Sequence, residues 1–302
     1  MTKVAVVAHA GKTFGGGLPE LRRELERQGV VDPRWVEVPK SRFAPKQVKR
    51  LLKDGVDLLV VWGGDGMVQR CVDALAGTDV ALAVVPAGTA NLFATNLGIP
   101  QDIEQAVAIA LRGDRRKLDA GRFNGEHFAV MAGAGFDAAM IRDADGTLKD
   151  RLGRAAYVVT GSKNLRAKPF KAKITVDGAP WYAGDASCIL IGNVGRLFGG
   201  VDVFEDASPD DGRLEIGVVH ADGVTDWVRT LARTAVGHAE RSPLVQSTSA
   251  RSMKVKLNRK VLYELDGGDR EKVKKFAVKV RPEAVTVCVP KPELGGGENG
   301  AT

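Results

Sequence analysis

Cysteine is scarce in this chain, with only Cys71, Cys188 and Cys288 in 302 residues. They form no CxxC pair and no metal-ligand spacing. A disulfide framework and a cysteine-held zinc site are therefore excluded, and buried thiols of a cytosolic protein are expected. Histidine is also sparse: His9, His127, His220 and His238 are scattered, with no HExxH or paired spacing. Structural or surface roles are expected for all but His9, which lies on the first loop. No apolar run approaches the roughly 18 residues that span a bilayer. The start, Met1-Thr2-Lys3-Val4, leads directly into a strand-like run, so no signal peptide is expected. No GxGxxG loop follows the first strand, which argues against a Rossmann dehydrogenase. There is no internal repeat. Acidic residues are outnumbered, 37 against 44 basic ones, for a net charge of +7. That charge suits an anionic membrane surface, nucleic acid or phosphorylated substrates and selects none of them. Nothing but charge points to nucleic acid, so no nucleic-acid partner is expected.

What is present begins with alternating strand and helix signals over the first hundred residues. Val4–Ala8, Trp35–Val38, Asp57–Trp62 and Val80–Val85 read as short apolar strands. Between them, Leu18, Leu21 and Leu25 fall at helical spacing. Pro45 starts a helix with Val48, Leu51 and Leu52 on its apolar face, and Val68–Ala76 is helical. Repeated βα units imply a mostly parallel sheet.

Near residue 118 the pattern changes. Asn124-Gly125 lies between Leu118–Phe123 and His127–Met131, and Asp177-Gly178 between Ala172–Val176 and Trp181–Ala183. Both are two-residue hairpin signals. Later strands are expected at Ser187–Ile191, Arg213–Val219, Met253–Leu257, Val261–Leu265, Phe276–Val280 and Val285–Val289, with a helix at Thr225–Val236. The fold class is thus an α/β N-terminal domain with a mostly parallel sheet, followed by a β-rich antiparallel C-terminal domain. The expected boundaries are 1–118 and 119–281. The tail 291–302, with Gly295-Gly296-Gly297, is expected to be disordered.

Three segments sit where strands of the parallel sheet give way to helices, at the sheet edge where open α/β folds bind ligands. Gly63-Gly64-Asp65-Gly66 follows the third strand. Its glycines let the backbone approach phosphates and offer N–H groups to them, and Asp65 is a carboxylate for Mg²⁺ or a hydroxyl. Gly and Asp also make ordinary tight turns. Pro86-Ala87-Gly88-Thr89-Ala90-Asn91-Leu92-Phe93-Ala94 follows the fourth strand. Thr89 or Asn91 can cap its helix, and exposed N–H groups there would hold an anion. His9-Ala10-Gly11-Lys12-Thr13 follows the first strand. It ends like a Walker A loop, but the glycine required five residues before Gly11 is Val6. Lys12 is left as a phosphate contact or a surface lysine. Trp62, just before the glycine loop, is expected in the core.

These segments, with Ala134-Gly135-Phe136-Asp137, Asp211-Gly212-Arg213-Leu214 and Leu265-Asp266-Gly267, occur in the order seen in diacylglycerol kinase catalytic-domain proteins. The sequence resembles that family to about Pro290. The resemblance implies an α/β nucleotide domain and a β-rich domain with ATP in the cleft between them, and residues 282–290 returning to the first domain. It implies ATP-dependent phosphorylation of a lipid hydroxyl, commonly that of diacylglycerol, in some members of sphingoid bases. By position, Gly63, Gly64, Asp65 and Gly66 match the nucleotide loop and Gly88-Thr89 the second phosphate-side contact. Gly11 and Lys12 match the end of the first loop, and Asp266 the aspartate near the catalytic base.

On this reading Asp65 and Asp266 are the catalytic carboxylates and Asp211 is a metal ligand. ATP and Mg²⁺ are the cofactors. A cytoplasmic protein held peripherally at an anionic inner membrane face is implied, with basic residues such as Lys163, Arg166, Lys168, Lys171 and Lys173 toward headgroups, and a homodimer is open.

The sequence departs from the family pattern in several places. Val7 and Ala8 stand for Asn-Pro, Met67 for Thr, and Gln69 and Arg70 for Asn and Glu. Gly268 stands for the glutamate used as proton acceptor in some members; Asp266 or nearby Asp269 would have to serve. Ser208 stands for the first acid of a structural Mg²⁺ pair with Asp211, and a neutral serine is a poorer ligand. An NAD kinase also uses a Gly-Gly-Asp-Gly loop, and a non-catalytic lipid- or nucleotide-binding homologue is the third reading.

Overall fold

The computed structural model describes residues 2–135, 169–197, 201–220 and 244–291. The expected helix at 225–236, the tail from 292, and Phe136, Asp137, Lys163, Arg166, Lys168 and His238 lie outside the described residues. The chain divides into two compact units, one of Met1–Asp119 with Glu283–Thr302, the other of Ala120–Pro282.

The first unit alternates strand and helix. Its strands are β1 (Val4–His9), β2 (Arg34–Val38), β3 (Leu58–Gly63) and β4 (Ala81–Pro86). Its helices are α1 (Gly17–Arg27), α2 (Ala44–Lys53), α3 (Asp65–Leu75), α4 (Leu92–Asn96) and α5 (Ile103–Arg112). The strands run parallel in the order β2-β1-β3-β4. Every residue of β3 and β4 is buried, as expected for parallel strands covered on both faces. Helix α1 buries Leu21 and Leu25, and α2 buries Val48 and Leu51, at the spacing read from the sequence. Helix α5 was not expected. Its signals are Asp102, whose carboxylate accepts the Gln105 N–H at 2.8 Å, and the apolar face Ile103, Ala106, Val107 and Ala110. The sheet is completed by the end of a strand that begins in the other unit, β16 (Gly268–Val289). Its Thr286 and Val287 pair in parallel with Ala81 and Leu82 of β4.

The second unit is antiparallel. Strand β5 (Asp114–Phe123) leads into it from the first unit. It is followed by β6 (Glu126–Phe128), β7 (Met131–Ala134), β8 (Phe170–Val176), β9 (Ala179–Ala186) and β10 (Cys188–Gly192). The short pair β11 (Arg196–Leu197) and β12 (Val201–Asp202) precedes β13 (Leu214–Val219), β14 (Val245–Ala250) and β15 (Ser252–Leu265). The order is β14-β13-β10-β7-β15-β16, with β8 also on β15 and β9 on β8. Phe123, Phe128, Phe170, Ile189, Val255 and Phe276 lie in its core, where Phe123 stacks on Tyr263 and Phe276 at 4.4 and 4.5 Å. Both expected hairpins form. Asn124-Gly125 and Asp177-Gly178 take φ of 46° and 106°, and 47° and 91°, as a two-residue turn with left-handed central residues requires. A third such turn, Asp266-Gly267 at 46° and 74°, joins β15 to β16.

Two differences from the sequence reading concern strand length. Met253–Leu257 and Val261–Leu265 are one strand, β15, joined through register shifts between Lys256 and Tyr263. Phe276–Val280 and Val285–Val289 belong to one strand of 22 residues. The charged stretch Arg281-Pro282-Glu283 interrupts the apolar alternation but not the strand.

Candidate functional site

In the first unit, Gly63 of β3 lies opposite Pro86 of β4, so the two glycine segments leave adjacent parallel strands at one level. The Ala87 N–H donates to the Gly63 carbonyl at 3.0 Å. Beyond that point the backbones nearly touch. A Cβ built on Gly88 would meet the Cα of Gly64 at 2.5 Å and Oδ1 of Asn91 at 2.7 Å. Only two glycines permit this approach. Asn91 closes the second segment on itself. Its Oδ1 accepts the Gly88 N–H at 2.9 Å and its Nδ2 donates to the Gly88 carbonyl at 3.0 Å. Asn91 adopts a left-handed φ of 48° and is buried, while Thr89 and Ala90 stand exposed at the tip.

Asp65 joins the two segments. Its Oδ1 accepts the Phe93 N–H at 3.1 Å, and the N–H groups of Leu92, Asn91 and Asp65 itself also support the carboxylate. The cap of α4 is thus supplied from the neighbouring loop, whereas the sequence suggested Thr89 or Asn91. Burial raises the Asp65 carboxyl above the usual range, against the pull of those N–H groups. Helix α3 begins at Asp65, so Gly66 lies in its first turn, with open space where a Cβ would stand. Met67 is buried, and its side chain fills the space above Gly63.

The first loop is held by Trp62, a fully buried core residue, whose Nε1–H donates to the Lys12 carbonyl at 3.2 Å. The Gly11 N–H donates to Nδ1 of His9 at 3.2 Å. Burial, and then the Lys12 charge, lower the His9 pKa, so the ring is neutral near pH 7. Lys12 is half-buried and Gly11 exposed.

In the second unit, Asp266 is buried within the β15–β16 turn. Its Oδ2 accepts the Ala129 N–H at 2.7 Å; its Oδ1 accepts those of Val130 and Met131 at 2.9 and 2.8 Å. Its own N–H donates to the Met131 carbonyl at 2.9 Å. Asn193 completes the bracket. Its Nδ2 donates to the Ala129 carbonyl and its N–H to the Val130 carbonyl, both at 2.9 Å. Every main-chain donor and acceptor of residues 129–131 is therefore engaged by Asp266 or Asn193. Expected as a catalytic carboxylate that orients or deprotonates the acceptor hydroxyl, Asp266 has both oxygens on main-chain N–H groups.

The same hairpin carries two more carboxylates. Asp269 is exposed, and in register with it across the hairpin lies Glu264. Glu264 is buried against Gly133, and its Oε2 has no hydrogen-bond partner among the described residues. Burial first, and then Asp269 and Asp266, push its carboxyl up to about 7. Arg270 forms a two-point pair with Glu126, with Nε to Oε2 at 2.9 Å.

The expected metal position fits a cation poorly. Oδ1 of Asp211 accepts the Arg213 N–H at 2.8 Å, and the Ser208 hydroxyl donates to Asp210 at 2.7 Å. Among the described residues no group of three or more His, Cys, Asp or Glu is arranged to hold a metal. Asp65, the other candidate ligand, is committed to the start of α4. Cys71, Cys188 and Cys288 are buried free thiols raised by burial, Cys71 to about 12 and Cys288 to about 11.

Asn193 and Glu264 were not singled out from the sequence, and Asn91 was read as a helix cap, not as the residue that closes the loop on Gly88. The two asparagines act on main-chain groups, and Glu264 lies in a strand of ordinary alternation. An asparagine three residues after a loop glycine was the one available signal.

A parallel α/β unit with two abutting glycine loops, followed by an antiparallel β unit, defines a two-part architecture. Residues 4–123 match the model of the diacylglycerol kinase catalytic domain, and residues 130–289 that of the YegS C-terminal NAD kinase beta sandwich-like domain. The chain belongs to the diacylglycerol kinase catalytic-domain family. It is 30% identical over 215 residues to a protein of Bacillus subtilis strain 168 named "Diacylglycerol kinase", covering 70% of this chain and 71% of that one. It is 30% identical over 300 residues to the "Probable lipid kinase YegS-like" protein of Shewanella frigidimarina, covering 96% and 94%. A crystal structure of a diacylglycerol kinase from Bacillus anthracis strain Sterne shares the fold with a TM-score of 0.73 at 22% identity, over 97% of this chain and 98% of that one.

Proposed function

We propose that this protein is an ATP-dependent lipid kinase that transfers the γ-phosphoryl group to a lipid hydroxyl, that of diacylglycerol first among acceptors. The observation that carries the reading is the backbone contact of Gly64 with Gly88, fixed by Asp65 at the start of α4. It leaves two loops at one sheet edge with nothing but main chain between them, a surface suited to phosphates. Membership of the family and the names of its relatives support a lipid as acceptor over NAD.

Phosphoryl transfer depends on positioning and on neutralising charge. In this reading Gly63, Gly64, Gly66, Gly88 and Thr89 border the phosphates, and Gly11 and Lys12 approach them from the first loop. Lys12 supplies positive charge. Asp65 holds the start of α4, and so the second loop, in place. Mg²⁺ would enter with ATP, bound by its phosphates, and would offset their charge. On the acceptor side, Asp266 fixes segment 129–131, and Asp269, the exposed carboxylate of the same hairpin, receives the hydroxyl proton. The protein would work at the cytoplasmic face of a membrane.

The decisive experiment offers radiolabelled ATP and Mg²⁺ with diacylglycerol, a sphingoid base, NAD or no acceptor. Label in diacylglycerol supports the reading, and label in the sphingoid base alone changes the lipid. Transfer only to NAD overturns it in favour of an NAD kinase. ATP binding without transfer to any acceptor overturns it in favour of a non-catalytic homologue.

A further inference from the structure

Glu264 is a buried acid that the fold does not need. It is 2% exposed, and its Oε2 has no hydrogen-bond partner among the described residues. Burying a carboxyl in that state costs stability that a leucine at the same place would not. Its neighbours are set by the β15–β16 hairpin, whose register is regular from Leu265–Gly268 to Tyr263–Arg270. Glu264 lies directly opposite Asp269, so both side chains leave one face of the sheet with Cβ atoms about 4.5–5.5 Å apart. On its other side Glu264 is in register with Gly133 of β7, where a Cβ would meet Oε1 of Glu264 at 3.1 Å. The absent side chain leaves room for the carboxyl.

Around that carboxyl, β16 supplies Asp269, the turn Asp266 and β10 the Cys188 thiol, while β7 faces it with Gly133. Arg270 is in register with Tyr263 and so lies on the other face, where it pairs with Glu126. No basic side chain acts on the Glu264 carboxyl among the described residues. Buried Glu264 and exposed Asp269 are thus two like groups in unlike settings, side by side on one hairpin. Such a pair titrates as a unit.

We propose that Glu264 and Asp269 work as one base, Asp269 taking the proton of the acceptor hydroxyl and Glu264, a positioning residue, receiving it from Asp269. This rests on the kinase reading, in which Asp269 meets the acceptor. The acceptor O–H bond breaks as its oxygen bonds to the γ-phosphorus, and ADP leaves with the electrons of the broken P–O bond. The Asp269 O–H bond forms and then breaks as that of Glu264 forms. The proton returns to water through Asp269, the exposed partner. The ionised pair binds its first proton with an affinity near pH 7, whereas a lone aspartate binds one near its ordinary value of about 4. A general base works best when its proton affinity lies near the working pH.

The test is the pH profile of phosphoryl transfer to diacylglycerol by the whole protein. In the parent, kcat should rise through about pH 7. In Glu264→Gln that rise should move down into the ordinary carboxylate range, and kcat at about pH 8 should fall about tenfold with KM for ATP unchanged. Glu264→Asp keeps a second carboxyl and should recover part of both. A merely structural role would lower kcat without moving the profile, and that result overturns the proposal. Carbon NMR of glutamate-labelled protein reads the pair without turnover. One side-chain signal should titrate near about pH 7 and be missing from Glu264→Gln and Glu264→Asp. In Asp269→Asn it should titrate lower, because a like charge has been removed. A signal unmoved by Asp269→Asn overturns the pair even if Glu264→Gln does not fold, and leaves the kinase reading intact. No transfer by the parent to any lipid, with the signal still moved by Asp269→Asn, removes the kinase reading and the proton relay with it.

Discussion

Asp266, Asp269 and Glu264 share one hairpin and are expected to behave differently. Asp266→Asn would turn an amide NH₂ toward N–H donors of segment 129–131. Hydrogen bonds to a charged group contribute about 1.5–3 kcal/mol each, so urea denaturation should show a loss of that order together with reduced transfer. Asp269→Asn touches no such bracket. It should lower turnover about 10²–10⁴-fold with little change in stability or ATP affinity, as loss of a general base does. If the Asp269 variant turned over normally, the proton acceptor would lie elsewhere. Glu264 is a stability prediction. Its carboxyl keeps its proton up to about pH 7 in the fold, whereas an unfolded glutamate releases it near its ordinary value. The folded state therefore binds more protons across that window, and stability falls as pH rises through it, by roughly 3 kcal/mol in total. In Glu264→Gln that fall should disappear. Equal displacement of the unfolding midpoint at about pH 5 and about pH 8 would show that Glu264 does not carry the proton.

Among the elements, the junction of β3 and β4 with α3 and α4 makes opposite demands at two glycines. Gly88→Ala would force the abutting loops apart, since its Cβ would lie 2.5 Å from the Cα of Gly64. Misplacement by about an ångström can cost on the order of a hundredfold in rate, and such a loss of transfer is expected in a protein that still folds. Gly66→Ala meets no neighbour and lies in the first turn of α3. It should raise helix stability by up to about 1 kcal/mol while its methyl group occupies space a phosphate would use. A melting curve and an ATP titration on the same variant separate the two effects; unchanged ATP affinity would place the phosphates away from Gly66. The sequence exposed these loops because glycine at a strand end is itself a signal. It also exposed the two hairpins at Asn124 and Asp177, whose Asn-Gly and Asp-Gly pairs favour positive φ. What Asp65, Asn91 and Asp266 do was hidden, since their partners are main-chain N–H groups that every residue carries. Strand β14, Val-Gln-Ser-Thr-Ser-Ala, was missed for lack of apolar alternation. The length of β16 was missed because Arg281-Pro282-Glu283 reads as a break.

For the whole molecule, the point of interest is chain order. The second unit is an insertion, since the first is assembled from residues on both sides of it. Asp119 marks the departure and Glu283 the return. The Glu283 N–H donates to Oδ1 of Asp119 at 2.9 Å, and Lys117 pairs with the Glu283 carboxylate at 2.8 Å. Residues 1–119 alone should therefore express as an aggregating fragment, with β4 left as an open apolar edge. Joining residues 1–119 to 283–291 through a short glycine-serine linker should restore a soluble unit with a cooperative melt, whereas a soluble, cooperatively melting 1–119 would show that the return strand is dispensable. The pairing of Thr286 and Val287 with β4 also sets a timetable during synthesis. The first unit leaves the ribosome with one strand outstanding, and that strand is translated only after the whole second unit. A stalled or truncated nascent chain would thus expose β4 to other chains, making late translation the stage at which holdase chaperones matter most.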